Sequence, residues 1–277
     1  MCKWLSVYVV SVKYLVLIVH YCETDVNMSF KDKVVIVTGA SSGIGAAIAV
    51  GFSSEGARVV MVGRNESKLA SVAARCNKPL VVRADVGNDE DAQRIIDRTI
   101  EHFGQIDIFV NNAGILAFGN LISGNLIESY DQVMRINLRA VMLLTSLATS
   151  YLIKTKGNII NISSVSTFCP QSGNANMTVY AASKAALNHF GMSAAAELAP
   201  YGVRVNTICP GPVVTDILNN LPGAYNWNYI KEKTALKRLS QPEEIADLVM
   251  FLASDKAKAI TGTNHVTDNG YLLWGNL

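Results

Sequence analysis

Apolar residues in this chain fall into short unbroken runs separated by longer stretches of helical periodicity. The runs lie at 34–37 (VVIV), 57–62 (ARVVMV), 79–84 (PLVVRA), 106–110 (IDIFV), 157–162 (GNIINI) and 203–208 (VRVNTI). Strands buried on both faces of a parallel sheet read this way, because neither face needs a polar residue. Between them the apolar positions recur at the spacing of a helix. Helices are predicted from near Ile44, over 66–75, over 89–103 with Ile95, Ile96 and Ile100 on one face, over 128–154, over the alanine-rich 179–200, and from near Pro242. The proline suits a first helical turn. The stretch 210–237 reads as a loop and 264–267 as a last short strand.

Strands alternating with helices predict one α/β domain over 28–277, a parallel sheet with helices on both faces. Ligands of such sheets sit beyond the carboxyl ends of the strands. Thr38, Arg64, Asp85, Asn111, Ser164 and Cys209-Pro210-Gly211 end strands and are therefore expected on one rim. No internal repeat interrupts the pattern.

Composition adds exclusions. Half of the 277 residues are hydrophobic and 17% charged, enough apolar material for a large core. A net charge of +2 and no basic cluster longer than Lys237-Arg238 give no sign of a nucleic-acid surface, and no nucleic-acid partner is expected. The five cysteines are scattered and form no C-x-x-C pair, so they read as thiols of a reducing compartment. Residues 1–27 are apolar but interrupted by Lys13, and lack a small-residue cleavage site. Two readings stand: an upstream extension with Met28 as the functional start, which is favoured, or a membrane anchor, the only route to membrane contact. The favoured reading places the protein in the cytoplasm.

The stretch 33–45, KVVIVTGASSGIG, runs a buried strand into glycines and then a helix. Gly39, Gly43 and Gly45 allow a sharp turn and close backbone approach. The helix start offers unpaired N–H groups and a positive dipole end to a pyrophosphate. Three glycines alone also describe a ligand-free turn. Further on, Tyr180 and Lys184 are four residues apart in a helical stretch and share a face. A phenol of ordinary pKa about 10 is a poor acid or base at neutral pH. A neighbouring ammonium lowers that value, so Lys184 is expected to make Tyr180 a usable acid/base. Ser164, at the end of the preceding strand, supplies a hydroxyl to hold a carbonyl oxygen beside the phenol. Ser163 is adjacent, and the serine choice stays open on these grounds.

Thr38-Gly39-x-x-x-Gly43-x-Gly45, Asn111-Asn112-Ala113-Gly114, Ser164, Tyr180-x-x-x-Lys184 and Pro210-Gly211 together resemble the short-chain dehydrogenases/reductases of the classical subdivision, over nearly all of 30–274. The nearest flavour is that of 3-oxoacyl-carrier-protein reductases. The resemblance implies a Rossmann-type doubly wound parallel sheet of about seven strands. It implies hydride transfer between a nicotinamide cofactor and the carbonyl or hydroxyl carbon of a hydrophobic ketone or secondary alcohol. A reductase of a steroid or other lipid-like ketone using NAD(H), or a catalytically silent nucleotide-binding scaffold, are the alternatives. Gly39, Gly43 and Gly45 would hold the pyrophosphate, with Thr38, Ser41, Ser42 and Ile44 also binding the cofactor; Asp85 and Val86 would touch the adenine, and Asn111, Ala113 and Gly114 would line the cofactor channel. Pro210, Gly211 and Thr215 would lie along the nicotinamide. Ser164, selected by alignment of its strand, would orient the carbonyl; Tyr180 would pass the proton; Lys184 would lower the tyrosine pKa and bind the ribose; Asn137 would keep a water in a relay to the lysine.

Cofactor choice is read from the end of the second strand. An acidic residue there would bind a free ribose hydroxyl, but Gly63-Arg64 stands in its place and suits a 2′-phosphate, favouring NADP(H). Ser164 and Tyr180 are 16 residues apart, which implies an insertion within 167–177. Ile217, Leu218, Leu221, Pro222, Tyr225, Trp227 and Tyr229 suggest an apolar lid, with Phe118, Phe168 and Met177 as companions. The family's four-helix surface implies a homotetramer or homodimer built on 128–154 and 179–200, whose alanines permit close approach. No metal site is expected.

Overall fold

A computed structural model describes residues 29–119, 121–122, 124–169, 177–215 and 226–274. Residues 1–27, most of the expected insertion at 167–177, and Ile217, Leu218, Leu221, Pro222 and Tyr225 lie outside these. The elements run β1 (Val34–Thr38), α1 (Gly43–Ser54), β2 (Arg58–Gly63), α2 (Glu66–Ala73), β3 (Leu80–Arg83), α3 (Asp89–Phe103), β4 (Ile108–Asn111) and α4 (Leu126–Met134). They continue with α5 (Ala140–Thr155), β5 (Asn158–Ile162), α6 (Thr178–Leu198), β6 (Arg204–Pro210), α7 (Trp227–Glu232), α8 (Pro242–Ala253), β7 (Asn264–Thr267) and α9 (Tyr271–Trp274).

The seven strands pair in the order β3-β2-β1-β4-β5-β6-β7, every pairing parallel. The chain winds outward from β1 to β3, then returns past β1 to place β4 on its other side. That reversal opens a crevice at the carboxyl ends of β1 and β4. Successive side chains of β1 serve opposite cores: Val35 and Val37 pack with residues of α1 and α8, and Val34 and Ile36 with residues of α3, α5 and α6. All five β1 residues are buried, which is why the strand carries no polar alternation.

Local chemistry sets the helix boundaries. Asn88 Oδ1 accepts from Asp91 N–H at 2.8 Å to cap α3, whose first turn carries Asp89, Glu90 and Asp91 on the positive dipole end. Gly104, at φ +77°, closes the same helix in the left-handed conformation. At the opposite end of the sheet the buried Asp107 carboxylate accepts from Val34 N–H (2.9 Å), Gln105 Nε2 (2.7 Å) and Lys33 Nζ (3.0 Å), tying β1 to the entry of β4.

Three expectations change. The single helix over 128–154 is interrupted by a π-helical turn at Arg135–Arg139, which inserts the extra residue that turns Asn137 inward. The loop 210–237 contains α7. The alanines of α6 divide: Ala194 and Ala195 are buried in the core, while Ala182, Ala185 and Ala196 are exposed. The stretch Leu126–Thr155 is long and apolar enough to cross a membrane by length and composition. Yet Val133, Ile136, Ala140, Leu144, Ala148 and Leu152 are buried within the fold, so it serves as a core helix.

Candidate active site

A cleft of about 900 Å³ lies at the carboxyl rim, and its walls begin with the glycine turn between β1 and α1. Gly39 and Gly43 take φ of +69° and +52°, a region that L side chains adopt only under strain. Gly45 is required for another reason: a β-carbon there would collide with the Gly39 carbonyl and the Asn112 amide. Ser41, Ser42 and Ile44 also line the cleft, beside first-turn N–H groups that a helix leaves without helical partners. No acidic residue occupies the first turn of α1. Thr215 stands against this turn, since a β-carbon on Gly43 would lie 3.1 Å from its Cγ2.

Two expected cofactor residues hold the rim rather than line it. Thr38 Oγ1 donates to Val110 O at 3.2 Å and accepts from the N–H groups of Asn112 and Ala113, both at 3.0 Å. Asn111 points into the sheet, where its Nδ2 donates to Asn161 Oδ1 at 2.9 Å. Neither lines the cleft; Asn112, one residue on, does, with its Nδ2 on Thr38 O at 2.8 Å. The strand places alternate side chains on opposite sides, and that is the signal that separates the two asparagines.

Ser164, Tyr180 and Lys184 meet on one wall. Ser163 and Ser164 both line the cleft; Ser164 hydrogen-bonds the Tyr180 phenol, whereas Ser163 Oγ donates to Lys184 O at 3.1 Å. Lys184 Nζ donates to Ile162 O at 2.8 Å and lies 5.8 Å from the centre of the Tyr180 ring. Burial pulls the Lys184 ammonium down to about 8. Burial likewise pushes the Tyr180 phenol above its ordinary value, with the Ser164 hydrogen bond acting in the opposite sense. The expected lowering of Tyr180 by Lys184 therefore does not set the direction; removal of the phenol from water does.

Asn137 is fully buried behind this wall and does not line the cleft. Its Oδ1 accepts from Ile115 N–H at 2.8 Å, while its Nδ2 donates to Ile115 O (2.9 Å) and Ser183 Oγ (3.1 Å). It thereby pins the segment after β4 to the helix of Tyr180. Between them, a β-carbon on Gly114 would lie 3.4 Å from both Asn137 Oδ1 and Lys184 Nζ. Pro210 and Gly211 line the cleft where Gly211 N–H donates to Thr267 O at 2.9 Å.

Arg64, Asp85 and Val86 form the far end of the cleft. Arg64 is mostly exposed, with Nη1 4.0 Å from Asp85 Oδ2. Lys68, in the first turn of α2, joins them; its place one turn beyond Arg64 was the available signal. Met177 and Tyr229 line the cleft as expected, but Phe118, Phe168 and Trp227 do not; Ile115, Leu116, Ile230 and Tyr271 do. Tyr271 comes from the C-terminal end, where no motif announced it. Among the described residues no cluster of His, Cys, Asp or Glu is arranged to hold a metal. The glycine cradle, the helix start without acids, and the cations at the far end fit a dinucleotide.

Burial of Lys184 has a stability consequence with a defined sign. With a folded pKa near 8 against about 10.4 unfolded, the charging cost is fully present below pH 8 and is relieved as pH rises from about 8 to 10.5. Lys184→Met is expected to be more stable than the parent at pH 7, by up to about 3 kcal/mol less the lost hydrogen bond. Urea denaturation of both proteins without dinucleotide should show that gap closing between about pH 8 and 10. A gap independent of pH would contradict a buried ammonium.

Residues 39–272 match the family described as Enoyl-(Acyl carrier protein) reductase. The chain is 34% identical to the meso-2,3-butanediol dehydrogenase of Serratia marcescens, over 88% of this chain and 96% of that one. It is 37% identical to the 3-oxoacyl-[acyl-carrier-protein] reductase of a Synechocystis species, over 87% and 98% respectively. Among solved structures, a short-chain type dehydrogenase/reductase from Mycobacterium marinum superposes with a TM-score of 0.82 at 29% identity, covering 88% of this chain and 97% of that one. One from Caenorhabditis elegans, of unknown function and solved with cofactor, gives 0.81 at 32%, covering 88% and 96%. With the fold, the glycine cradle and these matches in agreement, the chain belongs to the short-chain dehydrogenase/reductase family, as a 3-oxoacyl-carrier-protein-reductase-like, NAD(P)-dependent oxidoreductase acting on CH–OH groups.

Proposed function

We propose that the protein reduces a hydrophobic ketone to a secondary alcohol with NADP(H), and that Tyr180 carries the proton. The observation behind this reading is the meeting of Ser164, Tyr180 and Lys184 on the wall of the cleft into which the glycine turn opens. Gly39, Ser41, Ser42, Gly43, Ile44 and Gly45 hold the pyrophosphate, and Asp85 and Val86 flank the adenine. Ala113, Gly114, Pro210, Gly211 and Thr215 border the nicotinamide end. When bound, the dinucleotide supplies hydride-transfer chemistry at the nicotinamide. Ser164 donates to the substrate oxygen, and Tyr180 gives that oxygen its proton. A phenol kept protonated by burial suits the reductive direction. Lys184 stands by to restore the proton, with Asn137 fixing the segment that closes the wall. Asn111 and Thr38 act on the sheet rather than on the dinucleotide.

Met177, Ile115, Leu116, Tyr229 and Ile230 support an apolar substrate. The names of the two relatives, a 2,3-butanediol dehydrogenase and a 3-oxoacyl reductase, both denote oxygen on an internal carbon. The proposal extends to a homodimer or homotetramer, supported by exposed Met142 on α5 and Met192 on α6. Turnover of 2,3-butanedione, acetoin and short 3-oxoacyl thioesters with NADPH tests the reading. Tyr180→Phe is expected to abolish turnover while leaving NADPH affinity within a few-fold; an active Phe variant would sink the proton role.

Cofactor preference rests on Arg64, which pairs with the 2′-phosphate, and on Gly63, where no carboxylate repels it. A charge-assisted bond contributes about 1.5–3 kcal/mol, so Arg64→Ala is expected to weaken NADPH by about ten- to a hundredfold and to spare NADH. Comparison of kcat/KM for both cofactors decides the matter. Equal losses for the two, or a parent that prefers NADH, would refute NADP(H).

A further inference from the structure

Three polar side chains of α6 follow one another at one-turn spacing: Tyr180, Lys184 and Asn188. The first two belong to the proposed chemistry. Asn188 is buried and does not line the cleft. Its Nδ2 donates to Thr167 Oγ1 at 3.2 Å, and its Oδ1 accepts from the Cys209 thiol at 3.6 Å. Thr167 closes the 3-10 turn Val165–Thr167, which begins where Ser164 Oγ accepts from Ser166 N–H at 3.2 Å. Cys209, at the end of β6, also hydrogen-bonds Ser163, and Ser163 Oγ returns to α6 at Lys184 O. Burial pushes the Cys209 thiol up, so it stays a neutral donor to the amide.

The ring of contacts thus starts on the helix of Tyr180 and grips the segment of Ser164 at both its ends.

We propose that Asn188 is a positioning residue, which fixes the Ser164 turn against α6 so that the Ser164 and Tyr180 hydroxyls reach one carbonyl oxygen together. The proposal rests on the reading of Tyr180 as proton carrier. Catalytic geometry tolerates little displacement, since supporting hydrogen bonds hold reacting groups within a fraction of an ångström. Loosening the turn therefore affects the chemical step more than cofactor binding.

Thr167→Val removes the hydroxyl without opening a cavity, and Thr167→Ser restores it. With the ketone turned over fastest in the panel above, Thr167→Val is expected to lower kcat about five- to tenfold, with the NADPH KM unchanged within about twofold. Thr167→Ser should return kcat close to the parent. Asn188→Ala, which also gives up the Cys209 thiol, should lose at least that factor, and the double variant no more than the larger single loss, because the two changes share the Thr167–Asn188 contact. Ile95→Val is the control for general destabilisation: Ile95 is fully buried in the core on α3 and does not line the cleft, so removal of one methylene should lower Tm and spare kcat. Parent-like kcat in Thr167→Val, a Ser variant as impaired as Val, or single losses that multiply in the double variant would overturn the proposal. Tyr180→Phe run alongside separates the two readings. An inactive Phe variant beside an unaffected Thr167→Val removes only the role of Asn188, whereas an active Phe variant removes both.

Discussion

The structure depends on a steric constraint where the paired strands β1 and β4 end side by side. The first turn of α1 approaches the end of β1 so closely that Gly45 has no room for a side chain between the Gly39 carbonyl and the Asn112 amide. Thr38 seals the same point by bonding both strands through one hydroxyl. Once α1 and the 112–114 segment are fixed there, the rest of the site follows by contact. Gly114 lets Asn137 and Lys184 close up on it, Asn137 binds the main chain of Ile115, and Lys184 reaches Ile162 O. The glycine turn and the wall of Tyr180 and Lys184 are therefore tied together through one close approach.

The wall itself holds groups that burial opposes. The phenol is disfavoured as phenolate and the ammonium is disfavoured as a cation, and each shift has desolvation as its largest cause. Neutral partners offset part of this: Ser164 for the phenol, the Ile162 carbonyl for the ammonium. A fold carries such a cost where function requires it, since buried titratable groups with perturbed values concentrate at active sites. The stability to carry it comes from two apolar layers, one on each face of the sheet.

Much of this was legible in the sequence, for physical reasons that also mark where legibility ended. Strands such as VVIVT are buried on both faces, so their unbroken apolar runs announced a parallel sheet before any coordinate. The glycine turn was visible because left-handed backbone and close approach both demand glycine. The π-helical turn was invisible, since a local extra residue leaves the apolar pattern of 128–154 continuous. Asn111 and Asn112 were separable only by which side of a strand each faces. The sign of the Tyr180 shift was missed because burial is a property of the packed wall, not of a four-residue spacing. Tyr271 arrives in the cleft from the far end of the chain, where only tertiary structure could bring it.

The central claim is that this one cleft moves a hydride to a carbonyl carbon while the oxygen takes its proton from the protein. NADPH carrying deuterium at both C4 positions of the nicotinamide, incubated with the protein and a ketone in ordinary water, tests it directly through mass spectrometry of the alcohol. The account predicts one deuterium on the carbinol carbon in alcohol made by the parent, and no alcohol from Tyr180→Phe. Alcohol that carries no deuterium, or labelled alcohol formed equally well by the Phe variant, would contradict it.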